Sequence, residues 1–167
     1  MKKQTVKRTP SPSAGSASER RLAEAKVREL IVTFSPEHQR LVASIRRRLR
    51  KRLPTAHEVV YEYRDCVVLS YSPSEKGYEG VLAIRASASG VKFYFNRGKE
   101  LPDPERLLRG SGGMARSIDV EAASTLALPA VASLIEAAID RNPVPFARTG
   151  GGSVVIRTSS TKPRRPA

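Results

Sequence analysis

His57-Glu58-Val59-Val60-Tyr61-Glu62-Tyr63, then Arg64-Asp65, then Cys66-Val67-Val68-Leu69-Ser70-Tyr71 is the stretch whose reading decides the fold. Its first run alternates from Val59 onward. Val59, Tyr61 and Tyr63 fall on one face and Val60 and Glu62 on the other, the period of a half-buried strand. Only Arg64 and Asp65 separate it from the second run, so the spacing predicts a hairpin. Gly80-Val81-Leu82-Ala83-Ile84-Arg85 and Val91-Lys92-Phe93-Tyr94-Phe95-Asn96 predict a second pair, joined through Ser87-Ala88-Ser89-Gly90. His57 to Asn96 therefore reads as an antiparallel meander of four strands.

On either side the period changes. Leu41, Val42, Ile45 and Leu49 form a helical stripe. Ser35 is placed to cap that helix, Pro36 suits its first position, Glu37 suits its first turn, and Pro54 ends it. Upstream, Ala23, Val27, Leu30 and Ile31 predict a short helix within 18–33. Downstream, Leu101 to Arg109 reads as a loop running into a helical turn with Asp103 as its cap, broken by Gly110-Ser111-Gly112-Gly113. Arg116-Ser117-Ile118-Asp119-Val120 alternates as a fifth strand. Pro129 starts a last helix with Val131, Leu134, Ile135, Ala138 and Ile139 on its buried side.

These patterns predict an α+β domain over 34–147, one antiparallel sheet of five to six strands with N- and C-terminal helices on one face. The ends are basic and polar. Residues 1–17 are expected to be a disordered tail, and 148–167 a Gly/Pro-rich tail in which 153–157 could add an edge strand.

Composition limits the function. The chain has 167 residues, room for one ordinary domain and its tails. A single cysteine, Cys66, excludes an intramolecular disulfide and a zinc site on paired thiolates, and suits a reducing cytoplasm. No apolar run reaches the roughly 18–20 residues of a membrane span, so the expectation is a cytoplasmic protein with no membrane insertion. The net charge is +14, and most of the excess lies toward the ends. Within the domain the cations concentrate in Arg46, Arg47, Arg48, Arg50, Lys51 and Arg52. That run predicts either a solvated helix face or a contact for nucleic acid or an acidic protein, weak and salt-dependent. Aromatics are not interleaved with it, which gives no support to base stacking.

Catalytic groupings come up short, and whether the protein is an enzyme stays open at this point. His38 and His57 are the only histidines, at a helix start and a strand start, and no Ser, His and acid set suggests itself. The glycine run between Arg109 and Arg116 is flexible and cationic, but it lacks both the P-loop and the dinucleotide spacing.

One resemblance adds to this. Phe34-Ser35-Pro36-Glu37, Leu53-Pro54-Thr55-Ala56-His57-Glu58, Tyr61, Leu101-Pro102-Asp103-Pro104, and Leu108-Arg109-Gly110-Ser111-Gly112 with Arg116 and Ile118 stand in an order that resembles the YdhG-like domain of unknown function. The likeness covers about Phe34 to Arg141. It implies a frataxin-like architecture, and one branch of that family is described as an intracellular iron chaperone. Iron is thus the one cofactor or cargo implied, and Glu58, Glu62 and Asp65 are the nearest acidic group for it. Two departures stand out: the long helix has Glu37 as its one carboxylate, and Gly113 replaces a lysine common in relatives.

Three readings follow. The first is a non-enzymatic binding protein that engages an anionic or acidic partner through Arg46, Arg47, Arg48, Arg50 and Lys51 and the tails. The second is an iron chaperone using Glu58, Glu62 and Asp65. The third is a small-molecule binder or enzyme on the open sheet face, around Tyr61, Tyr63, Tyr94, Gly110, Ser111, Gly112 and Arg116.

Overall fold

The meander is the centre of a larger sheet. In the computed structural model, residues 17–158 are described, and the expectations for the remaining residues at either end lie outside them. Strands β1 (His57–Glu62), β2 (Cys66–Ser72), β3 (Leu82–Ser87), β4 (Gly90–Phe95), β5 (Arg116–Val120) and β6 (Val154–Thr158) form one sheet in the order β5-β4-β3-β2-β1-β6. Neighbours from β5 through β1 are antiparallel. β6 runs parallel to β1, from Glu58 opposite Val154 to Glu62 opposite Thr158. The sheet is therefore mixed, not antiparallel. The cause is topological: the segment before β6 passes the start of β1, where the Thr55 hydroxyl donates to the Ala147 carbonyl at 2.6 Å, so both strands set out from the same end of the sheet.

Helices α1 (Ala17–Ile31), α2 (Pro36–Arg52) and α3 (Pro129–Asp140) supply the apolar cover. Ser35 caps α2 as its sequence position predicts, accepting from the His38 amide at 3.3 Å. The register places Tyr71, Leu82 and Phe95 in one row facing the helices, and Val60, Leu69, Ile84, Phe93 and Ile118 in the next. These rows meet Val27, Val42, Ile45, Leu49 and Leu134 to make the core. Phe93 and Phe95 are successive on that face, ring edge to ring face at 5.2 Å.

α1 docks through its apolar stripe, with Val27, Leu30 and Ile31 buried in the common core. One expectation changes. The Leu101–Arg109 stretch forms no helix. Both carboxylate oxygens of Asp103 accept backbone amides, from Leu107 and Leu108 at 2.9 Å each, and the segment returns to pair Arg109 with Ser117. Asp103 organises a loop in place of a helix start.

The face away from the helices is only half open. Val59, Ser70 and Ala83 lie on it and are buried. A single helical turn, Gly77–Glu79, lies over this end of the sheet, and Asn96 Nδ2 donates to the Gly80 carbonyl at 2.7 Å to hold it down. A β-carbon at Gly77 would fall 1.7 Å from the Tyr61 hydroxyl, so any larger residue there would require the Tyr61 ring to move.

Candidate functional site

Glu58 is the first surprise of the helix side. It shares a strand face with Val60, and its side chain is only 3% exposed. A buried carboxylate must be paired or neutralised. Here Arg46 donates to it twice, through Nε to Oε2 at 3.1 Å and Nη2 to Oε1 at 2.5 Å. Tyr71 donates its hydroxyl to Oε2 at 2.7 Å, and Arg50 Nη2 lies 3.3 Å from Oε1. Glu24 of α1 completes the group by accepting from both Arg46 and Arg50. Four elements, α1, α2, β1 and β2, are thus tied by two cations, two anions and a phenol, and each of the four charges is partnered.

The electrostatics follow from this pairing. Burial alone would raise the Glu24 carboxyl, but the hydrogen bonds and charges of Arg50 and Arg46 outweigh it and hold it below its usual value. Burial pushes the Tyr71 phenol well above its usual value, and the Glu58 charge pushes it further. Burial would weaken the protonated form of Arg46, yet Glu58 more than offsets this and raises it. A cavity of about 140 Å³ opens beside the group, lined among others by Arg20, Arg50, Glu58, Tyr71 and Ser153.

The strand pair β1–β6 has its own polar latch. The Ser153 amide donates to His57 Nδ1 at 3.1 Å, and the Ser153 hydroxyl donates to Glu75 at 2.6 Å. Arg157 adds a bond to the Glu75 carbonyl at 2.8 Å. Serine, histidine and acid do meet, but the serine sits in the middle. A catalytic triad needs the histidine between the other two, accepting the hydroxyl proton, whereas Nδ1 here already accepts an amide. The trio fastens β6 to the sheet.

The sequence-derived cations divide sharply. Arg46 and Arg50 turn toward Glu58 and Glu24 and are already paired there. Arg47, Arg48 and Lys51 are exposed, as is Arg40 on the same helix, and none of these four has an ion-pair partner among the described residues. Arg52 donates to Glu136 of α3, through Nε at 3.0 Å, so that α2 and α3 are joined at their outer edges. Between them lies a groove of about 400 Å³ with Leu49, Leu126, Ala132 and Ile135 along its inside and Arg48, Lys51, Arg52 and Glu136 on its rim.

The other expected sites do not assemble. Glu58 is committed to Arg46. Glu62 lies four residues along the same strand, about 13 Å away at strand spacing, and Asp65 is exposed in the following turn. Among the described residues no three His, Cys, Asp or Glu side chains are grouped to hold a metal ion. Tyr61 and Tyr63 stack with ring centroids 6.2 Å apart, but Tyr94 lies on β4, three strands and about 14 Å away. These tyrosines line none of the principal cavities. Gly110, Ser111 and Gly112 form an exposed loop. Arg116 donates through Nη1 to the carbonyls of Gly113 and Ala115 at 2.8 Å each, so it works as a strut of that loop.

No family model matches the chain, and no curated protein or solved structure matches it either. No helix among the described residues is long and apolar enough to cross a membrane.

Proposed function

We propose that this protein is a non-catalytic binding module for an acidic partner, engaged through the outer face of α2 with the basic ends contributing charge. The observation that carries the reading is the split along α2. The two cations that a buried carboxylate could neutralise are neutralised, while Arg40, Arg47, Arg48 and Lys51 stay exposed and without a carboxylate partner. They run along about 16 Å of helix at 1.5 Å per residue. Four like charges held that close repel one another, which destabilises the free protein and is relieved when an acidic surface arrives.

The same geometry weakens the rival readings. An iron chaperone needs carboxylates that are free to ligate, and the best buried one is held by two arginines and a tyrosine. A small-molecule site on the open sheet face needs a concavity there. The resemblance to YdhG-like and frataxin-like proteins is retained as a proposal about ancestry, supported by the order of helix, meander, return strand and helix.

The test is titration of the full chain against polyglutamate and against a duplex DNA, at low and at physiological salt. Binding should weaken as salt rises, and Arg47→Glu, Arg48→Glu and Lys51→Glu combined should abolish most of it. Absence of binding at low salt, or equal binding by the triple variant, refutes the proposal.

A further inference from the structure

We infer that the groove between α2 and α3 is the receptor for an amphipathic acidic peptide segment, whose apolar side chains enter the groove while its carboxylates meet Arg48 and Lys51. This rests on the acidic-partner reading above and names the partner's class.

The argument begins with the shape and chemistry of the groove. Its floor is aliphatic, from Leu49 and Leu126 to Ala132 and Ile135, and its volume of about 400 Å³ is enough to take side chains. Two roughly rodlike walls make it a trough, the form in which an amphipathic helix is bound. The rim carries Arg48, Lys51 and Arg52 against the single carboxylate of Glu136. Arg52 is occupied by Glu136, which leaves Arg48 and Lys51 to meet an incoming acid. At the start of α3, one turn before Ala132, Leu128 leaves its side chain 54% exposed, extending the apolar character beyond the floor.

Charge then selects among occupants. The segments of this chain outside the described residues carry Lys2, Lys3, Lys7 and Arg8 at one end and Lys162, Arg164 and Arg165 at the other, with no acid between them. Like charge argues against either folding back over a cationic rim. Nucleic acid meets the charge but not the floor: aliphatic side chains offer no stacking surface, and no aromatic residue lines the groove. A single carboxylate on an alkyl chain would use one cation and leave the rest of the Arg40–Lys51 track idle. A peptide with several acids and an apolar stripe uses both features at once.

The experiment is a fluorescence-anisotropy titration of the full chain with a labelled helical peptide of about 20 residues, leucines on one face and glutamates on the other. A second peptide has the leucines replaced by glutamine, and a duplex DNA is the third probe. The leucine-faced peptide should bind about tenfold or more tighter than the glutamine-faced one. Ala132→Glu, which places a carboxylate on the half-buried floor of the groove, should erase that difference, and Lys51→Glu should weaken binding of both peptides. Circular dichroism checks that each variant is folded. Equal binding of the two peptides, or unchanged discrimination in Ala132→Glu, overturns the groove assignment but leaves the acidic-partner reading standing. Tighter binding of DNA than of the leucine-faced peptide also overturns it. If none of the three binds, both fail.

Discussion

Replacing Arg46 by methionine removes the centre of the buried charge group without opening a large cavity, because methionine keeps most of the arginine's aliphatic volume. Glu58 then loses the bonds at 3.1 and 2.5 Å and keeps only Tyr71 at 2.7 Å and Arg50 at 3.3 Å. Breaking a buried pair from one side typically costs about 3–5 kcal/mol. The lower end applies here, since Arg50 and Tyr71 remain and Arg50 is 38% exposed and able to shift toward the carboxylate. Arg46→Met should therefore cost about 3 kcal/mol, a fall of about 6–12 °C in melting temperature for a chain of this size. Urea unfolding followed by far-UV circular dichroism measures it, with the midpoint moving and the slope unchanged. Adding Glu58→Leu together with Tyr71→Phe, which would otherwise lose its acceptor, should recover most of the loss, because no buried charge or hydroxyl is then left unpaired. A cost below about 1 kcal/mol for Arg46→Met, or a triple variant no better than the single one, would refute the picture of a desolvated, mutually neutralised group.

Three other outcomes follow from the same structure. Tyr71→Phe removes one hydrogen bond to a charged acceptor and should cost about 1.5–3 kcal/mol in the same urea assay; a cost near zero would mean that the phenol does not serve Glu58. Glu24 has a carboxyl lowered from its ordinary 4.5, so its contribution is fully present above that pH and is lost as pH falls through the lowered value. The stability gap between the wild type and Glu24→Gln should thus narrow on acidification from neutral pH, and a constant gap would contradict the pairing. Gly152→Ala would put a β-carbon 1.7 Å from the Ala56 carbonyl oxygen. Backbone cannot yield as a side chain does, so β6 should loosen, seen as faster hydrogen exchange at the Glu58 amide, which donates to the Ser153 carbonyl at 2.9 Å.

Much of the fold was legible because it is written in local periods. The alternation from Val59, the Ser35-Pro36 start of α2 and the Arg116–Val120 strand need only near neighbours to be read, and each stands within a residue or two of its expected place. The direction of β6 was not legible, because parallel or antiparallel pairing depends on where the chain comes from and not on the five residues that pair. The buried charge group was hidden for a related reason. Its members come from α1, α2, β1 and β2, and charged residues in an exposed-looking run read as solvent-facing. A signal was nevertheless present. Arg46 stands four residues after Val42 and three before Leu49, on the edge of the apolar stripe, and Glu58 shares a strand face with Val60. One cation and one anion each placed on a core-facing position are candidates to be each other's partner. The α2–α3 groove had no such signal, since its two walls are some 80 residues apart, as the Arg52–Glu136 separation of 84 shows.

The parallel β1–β6 pairing also bears on how the domain is made. Its latch joins residues 96 positions apart, His57 and Ser153, whereas β1 to β4 fold through short local turns. Closing so long a loop comes late and slowly. Until it closes, β1 is an outer strand with a bare row of backbone donors and acceptors, and Val59, Val60 and Tyr61 along it form a β-prone segment of the kind that recruits other chains. In the folded domain residues 154–158 cover that edge. A chain interrupted before Val154 should retain the meander yet aggregate, with β1 as the seam.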